Sequence, residues 1–169
     1  MGVAGSGKTT VGTLLATRWG ATYYDADDLH PAANKAKMAR GVPLNDDDRR
    51  PWLLRIAEIL REAVQGGQRV VVTCSGLKRR YRDMLRDPTN KEKIAFVFLF
   101  GDKEVLRARM TLRQQQTGHF MPPTLLDSQF RDLEMPSSTE ALLVDATKND
   151  VQSIISLIFN SFQLPSSKL

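Results

Sequence analysis

The stretch Gly2-Val3-Ala4-Gly5-Ser6-Gly7-Lys8-Thr9 constrains this chain more than any other. It satisfies G-x-x-x-x-G-K-[ST] at every fixed position and runs straight into a helical pattern. Glycines let backbone N–H groups turn inward around a phosphate. A helix that opens there adds free donors and the positive end of its dipole. Lys8 can reach the β- and γ-phosphates, and the Thr9 hydroxyl can ligate Mg²⁺. Four fixed positions and the helix behind them weigh against a glycine-rich turn that merely starts a helix. The segment Gly2, Val3, Ala4, Gly5, Ser6, Gly7, Lys8, Thr9 and Thr10 is therefore the candidate nucleotide site. The pattern alone does not separate a kinase from a GTPase or a motor.

Downstream, Thr9 to Trp19 reads as a helix that Gly20 can stop. Ala21 to Asp25 reads as a short strand ending in carboxylates. The C-terminal ends of strands are where an open α/β sheet places its ligands. With one residue between them on extended backbone, Asp25 and Asp27 can point to the same side. One can serve Mg²⁺ through water while the other meets a substrate hydroxyl. A solvated turn with helix-capping aspartates fits the same residues. A short helix from Asn34 to Arg40 follows, then Asp46-Asp47-Asp48. At least one of these should cap a helix that runs to about Val64. Arg49, close behind the caps, can be held rigidly and can grip a carboxylate bidentately.

Arg69 to Ser75 is a near-continuous β-branched apolar run, as expected of a strand covered on both faces. It leads into a small-residue turn carrying Lys78, again at the ligand edge. Cys74 reads as a small buried hydrophobe. Ile94 to Phe100 and Ala141 to Asp145 read as further strands. Helices are expected at Lys103 to about Gln115, Thr124 to Leu133 and Asp150 to Phe162, with a frayed tail at 164–169. Arg109 and Arg113 stand one turn apart, and a solvated basic face is the alternative to a site role. Alternating strands and helices imply an α/β doubly wound parallel sheet with helices on both faces.

With 169 residues the chain suits one domain, read as 1–163, with a mobile tip between Gln114 and Pro123. A net charge of +5 suits anionic ligands. No basic stripe interleaved with aromatics appears, which argues against nucleic acid as a partner. A single cysteine excludes an intrachain disulfide and makes a reducing compartment natural. No run is long enough to span a bilayer and no signal peptide is visible, so a cytoplasmic location is expected.

Several further blocks make the chain recognisable. They are DADDLHP at 25–31, N-x-x-KM-x-x-G-x-PL-x-DDDR-x-PWL from Asn34 to Leu53, CSGLKRRYRD at 74–83, GHFMP at 118–122 and LLDSQFRDLE at 125–134. With the phosphate loop, they show that the chain resembles the gluconokinases, small P-loop kinases similar in architecture to shikimate and adenylate kinases. The resemblance runs from Gly2 to about Asp145. It implies transfer of the ATP γ-phosphoryl to the 6-hydroxyl of D-gluconate, with Mg²⁺, and a dimer is frequent in the family. By resemblance, Gly5, Ser6, Gly7 and Lys8 hold phosphates, while Thr9 and Asp25 place the metal. Asp27 orients the acceptor hydroxyl and takes its proton. Arg49 and Lys78, with His30 as a further candidate, meet the sugar acid. Arg109 and Arg113 flank a lid around 109–123 and neutralise the transferring group, and His119 stands at its tip as a structural or closing contact.

The sequence departs from the family at three places. Gly76 stands where the family usually has alanine, and the stretch from Arg113 to Gly118 is a few residues longer. Only Met1 precedes the loop, where a buried strand of about five or six residues is expected. The reading therefore expects a missing or truncated first strand, two ladders without their partner, and a chain that is poorly soluble or weakly active as it stands. Another small-metabolite or nucleoside kinase, or a nucleotide-binding module without turnover, are the alternative functions.

Overall fold

The structure is a computed structural model that describes residues 1–117 and 122–165. Helix α1 (Lys8–Trp19) follows the phosphate loop, and its ends are set by glycine. Gly7 precedes it at φ 86° and Gly20 closes it at φ 66°, both left-handed conformations that cost glycine little. Strand β1 (Thr22–Asp25) comes next, then a short 3₁₀ turn (Ala26–Leu29) and α2 (Ala32–Ala39). Helix α3 (Asp46–Gln65) begins with a reciprocal cap: Asn45 Oδ1 accepts from Asp48 N, and Asp48 Oδ2 accepts from Asn45 N, both at 2.8 Å. The aspartates do contribute a cap, but Asn45 is the capping residue and Asp48 its partner. Strand β2 (Val70–Thr73), α4 (Arg79–Leu85), β3 (Val97–Phe100), α5 (Lys103–Thr117), α6 (Leu125–Asp132), β4 (Leu142–Asp145) and α7 (Val151–Phe162) complete the order.

All described strands are parallel, but they form two pairs rather than one continuous sheet. β1 pairs with β2, Thr22 beside Val70 through Asp25 beside Thr73. β3 pairs with β4, Val97 beside Leu142 through Phe100 beside Asp145. Among the described residues, Met1 and Gly2 span the gap. Met1 N donates to Val97 O at 2.5 Å, Leu99 N to Met1 O at 2.8 Å, and Gly2 N to Ser75 O at 3.1 Å.

Strand alternation sorts the core onto two faces. Phe96 and Phe98 pack with Trp52, Ile56, Tyr81 and Leu85 from α3 and α4. Val97 and Leu99 point the other way, onto Val11 of α1 and Ile154, Ile155 and Ile158 of α7. Helices therefore cover both faces, and the end of β1 lies beside the phosphate loop, where Asp25 accepts from Thr9. A third cluster, Val3, Ala4, Leu106, Met110 and Leu126, pins the loop from behind. The first two positions of the expected tail, Leu164 and Pro165, are described; 166–169 lie outside the described residues, as do 118–121 of the expected lid.

The entry to the loop is tight. Gly2 has φ 139°, and a Cβ there would stand 2.2 Å from Leu99 O. Backbone strain of roughly 1–3 kcal/mol and an overpacking cost of similar size would add. Gly2→Ala should lower unfolding free energy by about 2–4 kcal/mol. Urea titrations of the two proteins check this, and superimposable curves would contradict it.

Candidate active site

The site is built from an unsatisfied helix end. No side chain caps α1, so its first N–H groups face a cavity of about 570 Å³. A Cβ on Gly7 would meet nothing within 4 Å, so the space beside the loop is open. Gly5, Gly7, Lys8, Thr9 and Thr10 line this cavity. Lys8 Nζ donates to Val3 O at 2.9 Å, which holds the ammonium against the loop. Burial pulls the Lys8 pKa down, and Asp27 and then Asp25 oppose that shift.

The end of β1 meets the start of α1. Thr9 Oγ1 donates to Asp25 Oδ2 at 3.1 Å, and Tyr23 Oη donates to the same oxygen at 3.1 Å. Asp25 Oδ1 accepts from Asp27 N at 3.1 Å, so the first carboxylate fixes the backbone that carries the second. Burial pushes the Asp27 carboxyl above the usual carboxylate range, with Lys8 opposing. Burial lowers the Arg113 pKa, and Asp27 and then Asp25 lie close enough to oppose that shift.

The far end of the cavity is aromatic and cationic. His30 stacks on Trp52 with ring centroids 4.1 Å apart and 13° between planes. Trp52 Nε1 donates to Ala26 O at 2.6 Å, which locks the indole under the 3₁₀ turn. Burial, then Arg49 and Lys35, lowers the His30 pKa to about 4, so the ring is neutral at pH 7. Its Nδ1 is buried with no partner among the described residues. Arg49 is buried, and its Nη1 donates to Asp132 Oδ2 at 2.9 Å and to Tyr81 Oη at 3.1 Å. One cavity thus joins an anion-binding helix end, two carboxylates and a buried guanidinium.

A family profile described as shikimate kinase matches residues 4–161. A probable gluconokinase of Xenopus tropicalis is 46% identical over 171 residues, covering 94% of this chain and 88% of the relative. The gluconokinase of Arabidopsis thaliana is 39% identical over 172 residues, covering 95% and 91%. The crystal structure of a gluconokinase from Sinorhizobium meliloti 1021 matches with TM-score 0.80 at 42% identity, covering 97% of this chain and 90% of that one. The chain belongs to the gluconokinase family.

In this gluconokinase-family chain the cavity collects most of the candidates read from the sequence. Ala4, Gly5, Gly7, Lys8, Thr9, Thr10, Asp25, Asp27, His30, Arg49, Arg109 and Arg113 all border it. Gly2, Val3 and Ser6 do not. Gly2 instead packs on Leu99, Val3 is core, and Ser6 Oγ is buried without a partner among the described residues. Lys78 stands outside the lining, where Nζ meets Asp46 Oδ1 at 3.1 Å and Asp132 Oδ1 at 4.0 Å. Arg109 donates from both terminal nitrogens to Ala146 O at 3.1 Å. His119 lies outside the described residues.

Other residues were not singled out in the sequence. Gln129 Oε1 accepts from Ala4 N at 2.7 Å, tying α6 to the phosphate loop. Arg82 is 1% exposed and donates from Nη1 to Gly76 O, Leu77 O and Glu134 O, while its Nε meets Glu140 Oε1 at 2.5 Å. It fixes the turn that carries Ser75 and Leu77 to the cavity wall. Both residues sit in the quoted family blocks at 74–83 and 125–134, which is the signal that could have flagged them.

The His30 environment has a pH consequence. Unfolded His30 takes up a proton near pH 6.5, whereas folded His30 resists until about pH 4. The unfolded state binds more protons in that window, so stability falls as pH drops from 6.5 to 4 and levels off below. His30→Gln should therefore flatten part of the acid-side decline in thermal midpoint. The same slope in both proteins would contradict a buried neutral ring.

Proposed function

We propose that this chain transfers the γ-phosphoryl group of ATP to the 6-hydroxyl of D-gluconate, giving 6-phospho-D-gluconate and ADP. The observation that carries the reading is the single cavity bordered by the α1 N-terminus, Asp27 and Arg49. Phosphoryl transfer asks a protein mainly for alignment and charge stabilisation, and these three groups supply both. The curated gluconokinases support the choice of acceptor.

In this reading the uncapped N–H groups at Gly7, Lys8 and Thr9 bind the phosphates. Lys8 exchanges the Val3 carbonyl for a phosphate oxygen. Thr9 Oγ1 and Asp25 Oδ2, 3.1 Å apart, form a hard oxygen pair that suits Mg²⁺, with water and phosphate oxygens completing its shell. That ion would neutralise charge on the transferring group. Asp27 accepts the proton of the 6-hydroxyl, and its raised pKa strengthens it as a base. Arg113 neutralises the equatorial phosphoryl oxygens from the other side, with Arg109 more remote behind it. Arg49 receives the gluconate carboxylate, while neutral His30 offers Nδ1 to a sugar hydroxyl and Trp52 supports its ring. Lys78 reaches the sugar acid only by leaving Asp46.

Two outcomes test the proposal. ADP release in a coupled assay should require both D-gluconate and Mg²⁺. Equal or greater activity with shikimate, the substrate suggested by the family profile's description, or with a nucleoside monophosphate would overturn it. Asp27→Asn should lower kcat by roughly 10²–10⁴-fold with ATP affinity little changed. A near-normal kcat would return Asp27 to the role of a turn residue.

A further inference from the structure

One face of helix α6 (Leu125–Asp132) holds both ends of the cavity. Leu125, Ser128, Gln129 and Asp132 fall on a single stripe, at helical spacings of three and four. The first three border the cavity. Gln129 is buried, and its Oε1 accepts from Ala4 N at 2.7 Å, which restrains the phosphate loop. Asp132 stands one turn further along. Its Oδ2 accepts from Arg49 Nη1 at 2.9 Å, which restrains the guanidinium at the opposite end. The two tethers are separated by about 4.5 Å of helix rise.

The helix is itself fixed on its other sides. Leu125 and Leu126 are buried with Val3, Ala4, Leu106 and Met110. Asp127 meets Lys103 Nζ at 2.7 Å and Arg107 Nη2 at 2.9 Å, which joins α6 to α5. Just past its end, Glu134 N donates to Leu77 O at 2.9 Å, and Glu134 Oε2 accepts from Arg79 N at 2.7 Å. The two acceptors also suit their ends. A neutral amide holds the loop without repelling phosphate, and a carboxylate compensates the buried charge of Arg49.

We propose that α6 sets the chain length of the acceptor: Gln129 and Asp132 are positioning residues that fix the distance from the phosphate loop to Arg49, and with it the spacing between the carboxylate and the terminal hydroxyl of the sugar acid. This preference presupposes the D-gluconate kinase activity proposed for the site and adds a basis for choosing six-carbon over shorter aldonic acids. With Arg49 held, an acid one carbon shorter cannot rest its carboxylate on the guanidinium and reach Asp27 with its terminal hydroxyl. A misplacement of about 1 Å at the reacting atoms can cost roughly 100-fold in rate.

The test is kcat/KM for D-gluconate against D-xylonate, which has the same configuration at each shared stereocentre and one carbon fewer. The unaltered chain should favour D-gluconate by roughly 100-fold. Asp132→Asn keeps the side chain's size and an acceptor but removes the charge that restrains Arg49. Gln129→Met keeps the volume but removes the acceptor of Ala4 N. Each should shrink the preference by about 10-fold, because D-gluconate turnover falls more than D-xylonate turnover. Arg131→Ala, at an exposed position off the stripe, should leave the ratio unchanged. A variant that is merely less stable loses both activities in proportion, so the ratio separates positioning from folding. No preference in the unaltered chain, a preference unchanged in either variant, or an equal loss in Arg131→Ala would overturn the proposal while D-gluconate turnover stands. If the unaltered chain releases no ADP with D-gluconate, the kinase reading itself fails and the chain-length preference falls with it.

Discussion

An α-helix leaves its first backbone N–H groups without intrahelical acceptors, and among the described residues no side chain caps those of α1. Gly7 supplies the left-handed turn into the helix but no side chain to cap it. The rest of the site is arranged around that unmet demand. Thr9, on the first turn, hydrogen-bonds Asp25 at the end of β1, and Asp25 in turn holds the backbone of Asp27. A helix end that attracts anions and a strand end that carries them are thereby fixed next to one another. Lys8 offsets the mutual repulsion of the two aspartates.

At the other end of the cavity, the controlling cost is desolvation of a guanidinium. Arg49 is buried and would be expensive without partners. Asp132 and Tyr81 supply them through a single terminal nitrogen, Nη1. Tyr81 and Lys78 are tied to Asp46, so α3, α4 and α6 meet in one polar network beside the acceptor end. Such a network holds the guanidinium in one orientation.

Much of this was legible in the sequence because it depends on local rules. The phosphate loop, the helix behind it and the Asp25–Asp27 spacing each follow from residue type and separation alone. Arg49, which borders the cavity, could be singled out because a cap so close before it limits where its side chain can go. The contributions of Gln129 and Arg82 were not legible, since each acts by a hydrogen bond to backbone far away in sequence. The sequence shows only a small-residue turn carrying Lys78 ahead of α4, because the helix's seven residues are too few to show a period. Lys78 was expected in the site on its position after β2. A nearby carboxylate, Asp46, competes for it, and nothing in the sequence reports that distance.

The central claim is that nucleotide and sugar acid bind opposite ends of one cavity with Asp27 between them. Amide and indole chemical shifts, followed through sequential titration with Mg²⁺-ADP and then D-gluconate, test this most directly. The account predicts that the nucleotide perturbs Gly5, Gly7, Lys8 and Thr9. Gluconate should then perturb the Trp52 indole and the Arg49 side chain, with Asp27 responding to both. Gluconate shifts confined to the phosphate loop, or none at Trp52 and Arg49, would contradict it.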